Sequence, residues 1–270
     1  MNDVSFGQYY PADSFVHRCD ARMKILWLIG YIVAIFIAKD FYALGACALA
    51  LTVVACFSGV PIGSLLKSVK AVLFLLIFTA IINLFFGRGE KILLDLGFVV
   101  IMEEAVYATI FFAVRLFLLV LGSAVLTLTT SPVSLTDGIE SLLTPLKWLH
   151  FPVHELALIM SIALRFIPIL TEETARIINA QKSRGADFET GGLTKRVKAV
   201  LPIIGPLLFS AFRRADELGD AMDARCYSGG GVRTKYKKLT FTWRDLLALV
   251  LLIIVLVAVV WCKSHFPALI

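Results

Sequence analysis

The chain has 270 residues, of which 59% are hydrophobic and 17% charged, with a mean hydropathy of +0.86 and a formal net charge of +6 at pH 7. Soluble domains run nearer half apolar and a quarter charged, so this composition excludes an ordinary soluble domain and puts the chain in a membrane. In so apolar a chain the positive balance reads as the Lys and Arg bias of cytoplasmic loops, and no nucleic-acid partner is expected.

The start, Met1 to Asp20, is polar and lacks an apolar stretch with a small-residue cleavage site, so the first span is expected to act as the targeting signal. A bilayer core of about 30 Å needs about 20 apolar residues in a helix. Five spans are predicted. The first, 25–38, is short, and its flanking Lys24 and Lys39 must snorkel to the interface. The second, 41–60, ends at Gly59 and Pro61, and the third, 71–86, is entered after Lys67 and Lys70. The fourth, 106–130, is the longest, and the fifth, 246–261, is bracketed by Trp243 and Trp261 at interface positions. Between the third and fourth, 87–104 reads as a small surface hairpin around Asp95-Leu96-Gly97, with a re-entrant segment as the alternative.

Residues 131–244 differ. Pro145, Pro152, Pro168, Pro202 and Pro206 interrupt the apolar stretches, and charges recur between them. Within 154–180, Leu158, Ile162, Phe166, Ile169 and Leu170 fall near helical spacing, while Glu172, Glu173 and Arg176 mark a later polar part. The stretch 197–212 is apolar enough to cross, yet it is flanked by basic clusters on both sides. It reads as a helix at the cytoplasmic interface. Lys and Arg counts in the short loops place the N-terminus and this whole block inside.

The five cysteines, Cys19, Cys47, Cys56, Cys226 and Cys262, show neither a CxxC pair nor metal-ligand spacing. No P-loop, HExxH or GxSxG occurs, and no cofactor or catalytic group is expected. His150 and His154 lie four apart with Pro152 between them, and no nearby Cys or Asp completes a metal set. They read as interfacial or capping residues. Arg115, inside a span, costs about 2.5–3.5 kcal/mol to insert, so helix carbonyls or a polar neighbour such as Asn83 should satisfy it.

Two blocks repeat. Glu173 to Gly185 places Ala180 four residues before Arg184, with Ser183 just before it and Gly185 after; Arg214 to Cys226 places Ala221, Ala224 and Arg225 alike, followed by Cys226. Residues i and i+4 share a helical face, so each small residue lets another surface approach its arginine closely. Gly185 suits the left-handed residue that ends a helix. In the second copy the glycines begin only at Gly229, so termination is expected later. One arginine near a helix C-terminus is commonly structural, because it complements the dipole. Two matched copies in the most basic region point to a surface gripped by a cytosolic partner. Glu172, Asp216, Glu217, Asp220 and Asp223 read as a solvated face, with Arg213 and Glu217 as an i,i+4 pair.

These residues carry a resemblance. The chain resembles the transmembrane (T) component of energy-coupling factor transporters nearly end to end. The opening ends His17-Arg18-Cys19-Asp20-Ala21-Arg22-Met23-Lys24, where the family usually has Leu-Asp-Pro in place of Cys19-Asp20-Ala21. Leu126 to Pro132, Glu155 to Leu158, Leu164 to Pro168 and Ala180 to Phe188 are also similar to family segments. The most specific marks are the triplets Ser183-Arg184-Gly185 and Ala224-Arg225-Cys226, the second with Cys where Gly is usual.

The resemblance implies an all-α membrane protein of about five transmembrane helices, with a cytoplasmic helical coupling domain carrying two long coupling helices. It implies spans in 1–130 and 243–270 and the coupling domain in 131–242. It further implies a bacterial-type cell membrane, two ABC-type ATPase partners docked on the triplets, and a substrate-binding membrane S component for vitamin or micronutrient uptake. The opening and Arg184-Gly185-Ala186-Asp187-Phe188 look more like the shared-module type. The chain itself would be no enzyme. A stand-alone channel or secondary carrier is the alternative, although Arg115, Asn83 and scattered Thr are thin material for a polar pathway.

Overall fold

The structure, a computed structural model, describes residues 9–86, 92–95, 100–149, 152–186, 192–227, 229 and 241–265. In chain order they form α1 (Ala21–Ile37), α2 (Phe41–Ser58), α3 (Ile62–Phe86), β1 (Ile92–Asp95), β2 (Val100–Met102), α4 (Glu103–Thr129) and α5 (Pro132–Leu143). A 3-10 turn (Thr144–Leu149) follows, then α6 (Val153–Ser183), α7 (Leu193–Asp223) and α8 (Trp243–His265). The fold is that of an all-α membrane protein with one small ribbon. The strands pair antiparallel, Ile92 with Met102, Leu94 with Ile101 and Asp95 with Val100, which is the expected hairpin.

By length and composition, α2, α4, α6 and α8 are able to cross a bilayer, and α3, bent by 56° between Lys70 and Val72, makes up to five. The number agrees with the sequence reading, but the membership changes. At 17 residues, α1 is about 26 Å long, short of a full span. The first half of α6 is apolar enough to cross, which its polar second half hides from a reading of the whole segment. The prolines also act otherwise than expected. Pro168 lies inside α6, and Pro202 and Pro206 lie inside α7, so each is one continuous helix of 31 residues. The stretch 197–212 is therefore the middle of α7.

The chain divides into two compact units, Met1–Leu142 with Lys237–Ile270, and Leu143–Tyr236. In the first, α1, α2, α4 and α8 share a core, and α3 packs along α4. Helix α1 buries Trp27, Tyr31, Ala34 and Ile35 and leaves Leu26, Ile29, Val33 and Phe36 outside, as expected of a helix with one face in the core. Tyr31 is fully buried, stacks on Trp27 at 5.0 Å between centroids, and donates its hydroxyl to the Cys47 carbonyl at 3.4 Å. A Cβ at Gly122 would sit 2.7 Å from the Tyr31 ring, so the close approach of α4 to α1 requires glycine there.

Helix ends follow from local chemistry. Asp20 caps α1 by accepting from the Arg22 N–H at 3.0 Å. Gly59, at φ +65°, closes α2 in the left-handed conformation, with Pro61 just beyond. Arg115 donates to the Ala38 carbonyl at the end of α1, an oxygen with no partner in its own helix. Its guanidinium also lies 4.7 Å from the Phe111 ring centre and 5.7 Å from that of Phe112. A helix carbonyl takes Nη2, as expected, while Nε is buried without a hydrogen-bond partner, and Asn83 donates to the Thr79 carbonyl on its own helix.

Asp245 ties the last helix to the first. Its side chain is fully buried. Oδ2 accepts from the Thr242 N–H at 2.8 Å, forming a capping-box bond at the start of α8, and Oδ1 accepts from the Asp20 N–H at 2.8 Å. All five cysteines are free; burial, then the Asp245 carboxylate, pushes the Cys19 thiol up.

Replacing Asp245 with Ala strands two N–H donors. Each unmade bond costs about 1–3 kcal/mol, so the melting temperature of the purified protein in detergent should fall clearly. Asp245→Asn, which keeps one acceptor oxygen, should fall less. Equal melting of the Ala variant and the parent would refute this role.

Candidate functional site

The candidate site is the pair of helix ends in the second unit. Helix α6 stops at Ser183 because Gly185 turns left-handed, at φ +89°. The Gly185 N–H donates to the Lys182 carbonyl at 3.0 Å, and the Ala186 N–H to the Gln181 carbonyl at 3.0 Å. These two bonds define a Schellman cap, with Arg184 as the last residue before the left-handed one.

Helix α7 ends the same way. The Cys226 N–H donates to the Asp223 carbonyl at 2.8 Å, and the Tyr227 N–H to the Met222 carbonyl at 3.0 Å. Cys226 itself is left-handed, at φ +56°, and it is the only non-glycine with positive φ among the described residues. The sequence reading puts termination later, at Gly229; instead the helix stops at Cys226. Cys takes the place of Gly in the same cap, and Arg225 stands where Arg184 stands.

Both arginines are exposed, as are Ser183, Gly185, Ala224 and Cys226 of the triplets and the supporting Ala180 and Ala221. Neither guanidinium has a hydrogen bond or ion pair to another described residue. Each cap thus satisfies its final carbonyls with backbone donors and leaves the arginine side chain unspent. A planar fork of donors on a rigid helix end suits carboxylates and backbone carbonyls of another protein.

The acidic residues Glu172, Asp216, Glu217, Asp220 and Asp223 are exposed, the solvated face expected of them. Arg213 and Glu217 form the anticipated i,i+4 pair at 3.4 Å, with both side chains largely in solvent, so it contributes at most a few tenths of a kcal/mol. A second ion pair was missed. Arg214 Nη2 lies 3.7 Å from Glu173 Oε2 and joins α7 to α6. The signal was in the sequence, since Glu173 and Arg214 open the two repeated blocks with opposite charges. His150 lies outside the described residues. No group of three His, Cys, Asp or Glu side chains among the described residues is placed to hold a metal.

A left-handed non-glycine residue costs about 1–2 kcal/mol. Cys226→Gly should therefore tighten the second cap, seen as slower amide exchange across Met222 to Tyr227. Cys226→Val, branched at Cβ, should speed exchange there. Unchanged exchange in both variants would mean that the cap carries no strain.

The CbiQ family, described as cobalt transport protein, matches residues 12–236. The chain is 44% identical over 264 residues to the energy-coupling factor transporter transmembrane protein EcfT of Brevibacillus brevis, covering 98% of this chain and 100% of that one. It is 46% identical over 249 residues to EcfT of Ruminiclostridium cellulolyticum, covering 92% of each chain. With EcfT of Bacillus subtilis the identity is 42% over 254 residues, covering 94% of this chain and 96% of that one. A membrane protein whose two helix ends present matched arginine triplets, and whose relatives agree from end to end, belongs to the CbiQ family as a T component of energy-coupling factor transporters.

Proposed function

We propose that this chain is the non-catalytic coupling subunit of an ABC-type importer, and that Arg184 and Arg225 each dock in one of two cytosolic ATPases. The observation that carries this reading is the duplicated cap. Two separate helices end in the same hydrogen bonds and leave the same side chain free. One unspent arginine is ordinary; two at matched positions fit a pair of similar receptors. Ser183 and Ala224 precede the arginines, and Ala180 and Ala221 lie one turn back, so a docking groove meets little bulk beside each guanidinium.

In this reading residues 131–242 form the coupling domain, with its two arginine tips on the cytoplasmic side together with the N-terminus, while 1–130 and 243–270 supply the spans outside it in a bacterial cell membrane. The positive-inside bias of the short loops supports that orientation. A substrate-binding S component in the same membrane would lie against apolar helix surface. Val200, Ile204, Leu208 and Phe212 form an exposed row at four-residue spacing along α7, and Leu156, Ile159, Met160 and Ile167 are exposed on α6. ATP hydrolysis belongs to the ATPases and choice of vitamin or micronutrient to the S component. The opening segment and the run after Arg184 favour a module shared among several S components.

The test is copurification. Arg184→Glu with Arg225→Glu should leave the protein in the membrane and abolish recovery of the ATPases. Each single variant should keep partial assembly through the other arm, since a charge-assisted bond of about 1.5–3 kcal/mol is worth roughly 10–100-fold in affinity. Full ATPase recovery with the double variant would overturn the reading, as would solute movement in liposomes by this chain alone.

A further inference from the structure

The repeated blocks are joined at their first residues. Glu173 and Arg214 meet at 3.7 Å, with about a quarter and a third of their side-chain surfaces exposed. Arg184 stands eleven residues after Glu173, and Arg225 eleven after Arg214. Eleven residues make about three helical turns, roughly 16 Å, and return nearly to the same face. Each arginine tip therefore sits in line with its own half of the ion pair, at the end of an arm of equal length. The arms also match along their lengths. Glu173, Ile177 and Gln181 are half-buried at four-residue spacing, and so are Arg214, Leu218 and Met222.

We propose that the Glu173–Arg214 ion pair is the fulcrum of the two coupling helices, a fixed crossing about which α6 and α7 turn with two equal arms. The proposal rests on the reading of Arg184 and Arg225 as ATPase docks. With equal arms, a given change of crossing angle displaces both tips by the same distance, as two similar motors closing on each other require. An ion pair between flexible side chains suits such a point. Its attraction varies gently with distance and angle, whereas interlocked apolar side chains resist continuous turning.

The contact is also incomplete in a telling way. Nη2 of Arg214 stands 3.7 Å from the carboxylate, beyond hydrogen-bond range, and Nε, on the same edge of the guanidinium, is buried with no hydrogen-bond partner. A carboxylate accepts two parallel bonds from that edge. A small rotation of α7 against α6 brings that edge into hydrogen-bond range, so the pair holds across a range of angles and tightens at one end of it. Glu173 and Arg214 are positioning residues, acting on the tips through the helices.

The experiment uses the whole transporter, with both ATPases and the S component, in liposomes. Glu173→Arg and Arg214→Glu each place like charges at the crossing. Each should assemble to within about twofold of the parent and hydrolyse ATP, with uptake per ATP lowered about tenfold or more. The swapped double variant should recover uptake per ATP to within about threefold, the signature of a direct pair. Glu173→Gln, which adds no repulsion, should lower the same ratio by about threefold and serves if the reversals fail to fold.

Unchanged uptake per ATP in the single variants overturns the proposal. So does a swap that stays as low as the singles, or assembly that falls in proportion to uptake. Failure of the docking reading looks different. There the Arg184→Glu, Arg225→Glu variant keeps its ATPases, whatever the fulcrum variants do.

Discussion

The first unit depends on one buried carboxylate. Asp245 accepts from Thr242 at the start of the last helix and from Asp20 at the start of the first, across 225 positions of sequence. A charge without water must be fully engaged, and here two backbone donors engage it. With α1 and α8 fixed at one end, the core of α1, α2, α4 and α8 closes around Tyr31. Arg115 does related work at the other end of α1, where its guanidinium takes the Ala38 carbonyl that the helix leaves over. These two side chains finish helix ends, because a membrane offers no solvent to do so.

How much of this was legible in the sequence depended on whether the controlling physics is local. Four of the five predicted spans overlap helices that meet the length and apolarity of a crossing, because those features are read directly from composition along the chain. The hairpin between α3 and α4 and the left-handed stop at Gly59 were likewise written in nearby residues. The prolines misled. Pro168, Pro202 and Pro206 mark breaks in isolation, yet two helices of 31 residues run through them. Gly122 was illegible for the opposite reason. It reads as a weak point in a helix, and only the ring of Tyr31, brought there by the fold, explains it.

The geometry of the candidate site was more legible than the fold around it. The triplets, their exposure and the stop at Gly185 all follow from residues within one turn. The second stop was misread because Cys is a poor left-handed residue and the glycines lie downstream. The structure keeps the cap and accepts the strain, so the geometry of the end takes precedence over the residue best suited to it. The tie between Glu173 and Arg214 required knowing that α6 and α7 meet, although its two ends stood at matched places in the repeat.

The two tips are alike in backbone and unlike in reactivity. One carries a hydrogen beside its arginine, and the other an exposed, unpaired sulfur. A thiol-directed reagent finds a target on the second tip and none on the first. A near-symmetric scaffold therefore carries a chemical label that tells its left hand from its right.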